Sequence, residues 1–189
     1  RRQLMRLAVA VPPAVLKVAG GGAVWAATRT TASRRAGFGG SLQARSASVG
    51  PYADEMLPAG IRSRFVSDVN GLRLHILEAG YSRGRRPLVL LLHGFPELAY
   101  SWRHQLPALA QAGFRAIAPD QRGYGLTQRP DDIAAYSLAD LCADLVGLLD
   151  ALGIDRAIFV GHDWGGGVVW RMPLLYPDRV AGVVGVNTP

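Results

Sequence analysis

The amino-acid sequence predicts an α/β fold with a mostly parallel sheet and an antiparallel hairpin at its start. From about residue 61 onward, short apolar runs of strand length alternate with longer amphipathic segments, which is typical of parallel strands connected by helices. At the start of this region, two strand-like runs flank Asn70-Gly71, a dipeptide that favours a tight hairpin turn. With 189 residues, of which 49% are hydrophobic and 19% charged, the chain is long enough to bury one substantial core.

Residues 1–53 differ in composition from the rest and are predicted to form an arm ahead of a folded domain over residues 61–189. The arm has no acidic residue and holds eight of the 21 Lys and Arg residues, so the net charge of +7 belongs to it and the remainder is close to neutral. No aromatic stacking pattern accompanies this charge, so a nucleic-acid partner is not expected.

Three interpretations of the arm remain open: a targeting or disordered segment, a weak membrane anchor, or a segment without function. Its apolar stretch 7–27 is long enough to span a bilayer, but Lys17, Pro12-Pro13 and a glycine run make it a poor membrane helix. The acid-free, Arg-rich continuation is closer to a transit peptide than to a secretory signal. We expect a cytoplasmic body, with organelle targeting or membrane contact through the arm left open, and the sequence does not indicate an oligomeric state.

The elements after the hairpin are predicted in order from their apolar patterns. Residues 87–94, PLVLLLHG, form a continuous apolar run that predicts a strand buried on both faces. Residues 101–113 predict a helix that ends at Gly113, although Pro107 is unfavourable inside it. Residues 114–120, FRAIAPD, predict a second buried strand.

The clearest helix spans residues 137–153. Ser137 can cap its first turn, with Asp140 three residues later, and Gly153 can end it. One stripe at helical spacing faces the core and consists of Leu138, Leu141, Leu145, Leu148, Leu149 and Leu152. Cys142, the single cysteine, falls in the same helix as a packed side chain, so no internal disulfide is expected.

Three further elements complete the alternation. Residues 156–162 predict a strand, residues 165–176 a helix, and residues 179–189 a last strand. Pro173 predicts that the intervening helix ends early or is kinked. The order strand, helix, strand repeats throughout, so helices are expected on both faces of the sheet.

The segment GHDWGG, residues 161–166, has the spacing Gly-x-Asp-x-Gly and follows a strand directly ahead of a helix. This context is that of a nucleophile elbow, a tight turn that lifts one side chain above the sheet and needs small neighbours such as Gly161 and Gly165. Asp163 then occupies the position of the nucleophile. The simpler alternative is that Asp163 only caps the helix that follows.

A second motif, HGFPE at residues 93–97, follows the first buried strand of the alternation. In folds with a nucleophile elbow, this loop and the residue after the nucleophile supply the backbone N–H groups of the oxyanion hole. The expected donors are therefore Phe95 and Trp164, with His93 and Gly94 as structural parts of the motif and Pro96 fixing the turn, in a cis or a trans bond. A lone histidine without ligands at suitable spacing does not indicate a metal site.

A third motif, DQRGYG at residues 120–125, follows the next strand. Its glycines and Arg122 are interpreted as structural, supporting the floor of the site. Tyr124 is interpreted as a packing residue rather than a catalytic one.

The three motifs, in this order and spacing, resemble those of the α/β-hydrolase superfamily, and the resemblance covers about residues 61–189. The aspartate in the nucleophile position narrows it to the branch of epoxide hydrolases and haloalkane dehalogenases. The resemblance implies an α/β-hydrolase fold, catalysis by Asp163, a substrate pocket that includes Phe95 and Trp164, and a small-molecule epoxide as substrate. It implies no cofactor and no metal.

Carboxylate chemistry agrees with this resemblance. The ordinary pKa of an aspartate is about 3.9, so the side chain is ionised at neutral pH without a base and can attack a saturated carbon. The product is an ester on Asp163, which water must hydrolyse while two N–H donors stabilise the oxyanion.

The alternatives within and outside this branch are a haloalkane dehalogenase and a non-catalytic fragment of the fold. Haloalkane dehalogenases often place Asn at the third position of the HG motif as a halide donor, and Phe95 has no such donor. Fluoroacetate-type dehalogenases typically have Arg after the nucleophile, where this chain has Trp164. An epoxide hydrolase is therefore favoured.

The resemblance also implies groups that this chain does not show. Epoxide hydrolases of this branch use two tyrosines of a cap domain, a histidine that activates water, and a second acid that orients it. The sequence ends at VNTP, where the cap is expected to begin, and none of the histidines, His75, His93, His104 and His162, is placed to act as that base. We therefore expect an N-terminal part of the enzyme that is inactive alone.

Overall fold

The computed structural model describes Tyr52 and residues 56–81 and 85–188. Apart from Tyr52, the arm predicted for residues 1–53 lies outside the described residues. Within the described part, there is no helix with both the length and the apolar character needed to cross a membrane.

The strands of the described residues form one six-stranded sheet. They are β1 (Ile61–Val69), β2 (Leu72–Ala79), β3 (Leu88–Leu92), β4 (Arg115–Pro119), β5 (Ala157–His162) and β6 (Val180–Val186), in the spatial order β1-β2-β4-β3-β5-β6. The pairs β1–β2 and β2–β4 are antiparallel, whereas β4, β3, β5 and β6 run parallel. The predicted mostly parallel sheet with an antiparallel hairpin is confirmed.

The hairpin turn between β1 and β2 lies where the Asn-Gly dipeptide predicts it. Asn70 and Gly71 have φ angles of 49° and 76°, the left-handed region that both central residues of such a turn must adopt. The register of the two strands shifts between Val66 and Val69, and Asp68 in this bulge also has a positive φ of 59°.

The helices are short except for one. They are α1 (Gln105–Gln111), α2 (Leu138–Ala151), α3 (Trp164–Val169) and α4 (Met172–Leu175), with single 3-10 turns at Ala99–Trp102, Ile133–Tyr136 and Pro177–Arg179.

The single helix predicted for residues 101–113 is wrong in its first part. A 3-10 turn ends at Trp102 and α1 begins only at Gln105, so Pro107 lies in the first turn of α1. The N–H groups of a first turn have no partner within the helix, so a proline costs little there. The predicted break near Pro173 is confirmed, because α3 ends at Val169 and α4 begins at Met172.

The start of α2 is capped as the sequence predicts. The Ser137 hydroxyl accepts a hydrogen bond from the Asp140 N–H at 3.1 Å and donates to the Asp140 carboxylate at 2.6 Å. After its last turn, Gly153 has a positive φ of 64°, a conformation that glycine adopts readily at helix ends. One face of α2 packs on the sheet through Leu141, Leu145, Leu148 and Leu149.

Replacing Ser137 by Ala is expected to lower the free energy of unfolding by about 1 kcal/mol, because the Asp140 N–H loses its acceptor. Urea denaturation of the two proteins measures this difference, with an unchanged dependence on denaturant expected. Ser137→Thr, which keeps the hydroxyl, should retain most of the stability. Equal loss in the Ala and Thr variants would contradict the capping role.

The sheet separates two hydrophobic clusters and brings the three motifs together. Leu90 and Phe159 pack with α2 and α3 on one face, whereas Val89 and Leu91 pack with α1 on the other. Because β3, β4 and β5 are parallel neighbours, their carboxyl ends lie at one edge of the sheet. The segments that follow these three strands, each carrying one motif, therefore meet there.

Candidate active site

Asp163 lies in a strained turn between β5 and α3. Its φ and ψ are 51° and −117°, a conformation that non-glycine residues rarely adopt and that is typical of functional sites. Its carbonyl accepts hydrogen bonds from the N–H groups of Gly166 at 2.9 Å and Gly167 at 3.3 Å. Its side chain makes no capping hydrogen bond to α3, so the alternative of a simple helix cap is not supported.

The glycines around Asp163 are required by close backbone contacts. A Cβ at Gly165 would lie 2.5 Å from the Leu92 carbonyl oxygen, and one at Gly161 would collide with the Gly165 carbonyl. A Cβ at Gly166 would collide with the Thr188 hydroxyl, which donates to the Asp163 carbonyl at 3.2 Å. The turn is thus packed against both β3 and the segment after β6.

The carboxylate of Asp163 is exposed and held by backbone donors. The Phe95 N–H donates to Asp163 Oδ1 at 3.0 Å. Hydrogen bonds from the N–H groups of Phe95 and Trp164 hold the pKa of Asp163 below its usual value, and the nearby His162 adds to this effect. Of the two residues that the sequence predicts as oxyanion donors, Phe95 donates its N–H to this side chain. The lowered pKa keeps the carboxylate ionised at neutral pH.

The loop that carries Phe95 approaches Asp163 closely because residue 94 has no side chain. A Cβ at Gly94 would lie 2.7 Å from the Asp163 Cβ and 2.8 Å from its Oδ1. The Phe95–Pro96 peptide bond is cis, and the Glu97 N–H closes the turn on the Gly94 carbonyl at 2.9 Å.

Both ring nitrogens of His93 are used within the protein. Its Nδ1 donates to the Gly94 carbonyl at 2.9 Å, and its Nε2 accepts from the Gln121 N–H at 3.1 Å. Burial, the largest influence, lowers the pKa of His93, so the ring is neutral at pH 7. The structure thus places His93 as a support of its loop, and the described residues contain no group of three potential metal ligands.

The other histidines make no hydrogen bond to the carboxylate of Asp163, although His162 lies close enough to influence its pKa. His75 is buried and bonded to Asp120 at 2.8 Å, and His104 precedes α1. His162 has Nδ1 3.9 Å from Glu97 Oε2, too long for a hydrogen bond. Among the described residues, no histidine ring donates to or accepts from the Asp163 side chain.

The DQRGYG segment is a structural support, with one ion pair and one aromatic contact. Arg122 forms two hydrogen bonds to Asp144, the one from Nε at 2.8 Å, and both side chains are about 5% exposed. Asn70 donates to the same carboxylate at 3.0 Å and so ties the hairpin turn to α2. Tyr124 packs edge-on against His93, with ring centroids 5.0 Å apart.

The surface next to Asp163 combines exposed aromatic rings with a polar hollow. Phe95 and Trp164 are 72% and 46% exposed, so both rings are available to contact a bound molecule. A hollow of about 280 Å³ on the Asn187 side is lined by Glu97, Ser101, Trp102, Gln105, His162, Val186 and Asn187. Within the described residues, the buried Nε1 of Trp102 has no hydrogen-bond partner.

Sequence reasoning missed several polar contacts behind the site. It did not predict that Gln121 holds His93, that Thr188 binds the Asp163 carbonyl, or that His75 pairs with Asp120. These partners are far apart in the chain, and only the position of Gln121 directly after a strand end pointed towards the site.

Comparison with known proteins places these features in a family. The family described as alpha/beta hydrolase fold matches residues 87–189. Epoxide hydrolase A of Mycobacterium tuberculosis is 60% identical over 122 residues, which are 65% of this chain and 37% of that protein. Bifunctional epoxide hydrolase 2 of Sus scrofa is 50% identical over 132 residues, 70% of this chain and 23% of that protein.

Solved structures show the same similarity. Epoxide hydrolase A from Mycobacterium thermoresistibile has a TM-score of 0.65 and 58% identity over 68% of this chain and 40% of its own. Epoxide hydrolase VrEH1 from Vigna radiata has a TM-score of 0.63 and 45% identity over 69% of this chain and 41% of its own. The chain thus spans less than half the length of these relatives.

Proposed function

Because this chain belongs to the α/β-hydrolase fold family, we propose that it carries the nucleophile and the oxyanion donors of an epoxide hydrolase, with Asp163 as the attacking group. The observation that carries the proposal is the ionised carboxylate in a strained turn, bonded to the Phe95 N–H at 3.0 Å. The similarity to epoxide hydrolases supports the choice of substrate, a small-molecule epoxide.

In the proposed first step, a carboxylate oxygen of Asp163 attacks one carbon of the epoxide ring. A carbon–oxygen bond of the ring breaks, its oxygen takes a proton from solvent water, and Asp163 becomes a hydroxyalkyl ester. The N–H groups of Phe95 and Trp164 orient the carboxylate for this attack, since a nucleophile held in position loses less entropy on reaching the transition state.

In the proposed second step, water attacks the carbonyl carbon of the ester. The carbonyl oxygen becomes an oxyanion that accepts hydrogen bonds from Phe95 and Trp164, and removing one such donor typically costs about 3–4 kcal/mol of transition-state stabilisation. Collapse of the intermediate releases the diol and restores the carboxylate. Attack by water needs a base, and no histidine ring among the described residues is hydrogen-bonded to the Asp163 side chain.

We therefore propose that the 189-residue chain, tested alone, forms the ester but does not release it at a catalytic rate. A haloalkane is the second candidate electrophile, because the same carboxylate could expel a halide. Phe95 has no side-chain donor for a departing halide, and this favours the epoxide.

Incubation of the purified chain with styrene oxide, followed by intact-mass measurement, tests the proposal. The mass should rise by that of one epoxide, and peptide mapping should locate the addition at Asp163. Asp163→Asn should label at least about 10³-fold more slowly, because an amide is not a nucleophile at neutral pH.

Three outcomes distinguish the alternatives in this experiment. Equal labelling of the Asp163→Asn variant, or addition only at other residues, would contradict the role of Asp163. Faster ester formation with 1-bromobutane than with the epoxide would favour the haloalkane. Sustained diol release by the chain alone, lost in Asp163→Asn, would disprove the proposal that it lacks a second step.

A further inference from the structure

The loop that carries Phe95 is held at both ends by the two residues that follow β4. At its start, Gln121 donates from its backbone N–H to His93 Nε2 at 3.1 Å and from its side-chain amide to the His93 carbonyl at 2.7 Å. At its end, Asp120 Oδ1 accepts from the Ala99 N–H at 2.8 Å. We call Asp120 and Gln121 the loop bracket.

Asp120 is fully buried and uses both carboxylate oxygens in the bracket. Its Oδ2 accepts from His75 Nδ1 at 2.8 Å and from the Leu126 N–H at 3.1 Å, so the carboxylate has three donors. Gly125 leaves room for it, since a Cβ there would collide with the carboxylate. Such a set of donors fixes the carboxylate in one orientation.

His75 extends the bracket to β1. Its Nε2 lies 2.8 Å from Ser63 Oγ, which also accepts from the Tyr52 N–H at 3.0 Å. Ser63, His75 and Asp120 therefore have the connectivity of a hydrolytic triad. The Ser63 oxygen is occupied by the Tyr52 N–H, and the Tyr52 and Phe65 rings cover His75, each with its centroid 5.4 Å away.

Asp120 lies at the centre of this hydrogen-bond network. Burial alone would raise the pKa of Asp120, but the hydrogen bonds from His75, Ala99 and Leu126 hold it below its usual value, so the group is an ionised acceptor. Nδ1 of His75, which lies 2.8 Å from this acceptor, therefore donates to it.

We infer that Asp120 and Gln121, with His75 behind Asp120, are positioning residues that set the distance from the Phe95 N–H to Asp163. The inference rests on the proposed function for its catalytic meaning. The physical reason is that residues 93 and 99 are each fixed by the bracket, so the short turn between them has little freedom to move the Phe95 N–H away from the carboxylate. None of the three positioning residues needs to touch substrate.

Asp120→Asn tests the bracket with nearly the same shape. An amide offers one acceptor oxygen and places an NH₂ group where a second acceptor is needed, so Ala99 or His75 loses its partner. We expect the Phe95 amide proton resonance to move upfield and the pKa of Asp163, followed by carboxyl carbon NMR, to rise. Gln121→Met, which removes only the side-chain donor to His93, should move both in the same direction by less.

Asp144→Asn is the matched control. Asp144 is as buried as the bracket, but its partners are Arg122 and Asn70, which do not hold the loop. This variant should lose stability in urea and leave the Phe95 resonance and the pKa of Asp163 unchanged. If Asp120 only stabilised the fold, Asp120→Asn and Asp144→Asn would change the Phe95 resonance and the pKa of Asp163 equally.

The inference is overturned if Asp163 and Phe95 are unchanged in a folded Asp120→Asn variant, or changed equally by Asp144→Asn. If Asp120→Asn does not fold, Gln121→Met decides, and an unchanged Phe95 resonance there overturns the inference. Labelling with styrene oxide is measured in parallel. If the variants give the expected NMR changes but the parent chain forms no ester, the proposed function is contradicted and the positioning role is still supported.

Discussion

Alanine in place of Gly94 is expected to slow ester formation on Asp163 by at least about 100-fold while the protein stays folded. The new Cβ would lie 2.7 Å from the Asp163 Cβ and 2.8 Å from Oδ1, well inside contact distance. The carboxylate must then move away from the Phe95 N–H, and a displacement of about 1 Å is enough to cost two orders of magnitude. The φ of Gly94 is not positive, so alanine adds no backbone strain that would obscure this effect.

Labelling by styrene oxide, measured as the initial rate of mass increase, gives the size of this loss. Gly167→Ala, at the fourth residue of α3, is a matched control, because a Cβ there meets nothing within 4 Å. It should label at the parent rate and be slightly more stable, since alanine favours a helix over glycine. Equal labelling rates for Gly94→Ala and the parent would show that the close approach is not needed.

Replacing Glu78 by Gln is expected to lower the free energy of unfolding at pH 7 by about 2–3 kcal/mol. Glu78 is fully buried on β2, where Arg62 and Arg115 bond to it at 2.7 Å and 3.0 Å and Arg64 bonds to it as well. Glutamine fills the same space but leaves three guanidinium groups without their counter-charge. The arginines are 22–44% exposed, which reduces the loss below that of a fully buried pair.

The loss of stability expected in Glu78→Gln depends on pH. Burial alone would raise the pKa of Glu78, but hydrogen bonds from Arg64, Arg115 and Arg62 outweigh it and hold the pKa below its usual value. A lowered pKa means that the ionised group stabilises the fold above its ordinary pKa of about 4.3, and that this contribution is lost as the pH falls through the folded value.

Urea denaturation of the parent and of Glu78→Gln between pH 7 and pH 3 measures both effects. The difference in stability should be constant from pH 7 to about pH 5 and should shrink below that. Asp131→Asn, at an exposed position, should differ little from the parent at every pH. A difference that grows towards low pH would contradict the sign of the pKa shift.

The hairpin turn and the start of α2 could be predicted because their sequence signals are local. Asn70-Gly71 defines a turn through the backbone angles it favours, and Ser137 caps a helix through a contact three residues away. The first part of the helix over residues 101–113 was predicted wrongly because no local signal marks where that helix begins. An apolar pattern does not show where a 3-10 turn gives way to an α-helix, and Pro107 is tolerated at a first turn.

The site was predictable only in part. Residue type and position at a strand end identified Asp163, and the motif after β3 identified Phe95, whose N–H the structure places on the carboxylate. The roles proposed for both remain predictions. Contacts such as His75 with Asp120, 45 residues apart, depend on which strands pair, and a single sequence does not contain that information.

The contact between Gly166 and Thr188 makes the two positions epistatic. Any side chain at 166 collides with Thr188, while removal of the Thr188 side chain deprives the Asp163 carbonyl of one donor. A laboratory-evolution path to Gly166→Ala would therefore have to pass through Thr188→Gly first, because the reverse order creates the clash in its first intermediate. Libraries aimed at this turn should vary the two codons together, since a single substitution at position 166 meets the Thr188 side chain.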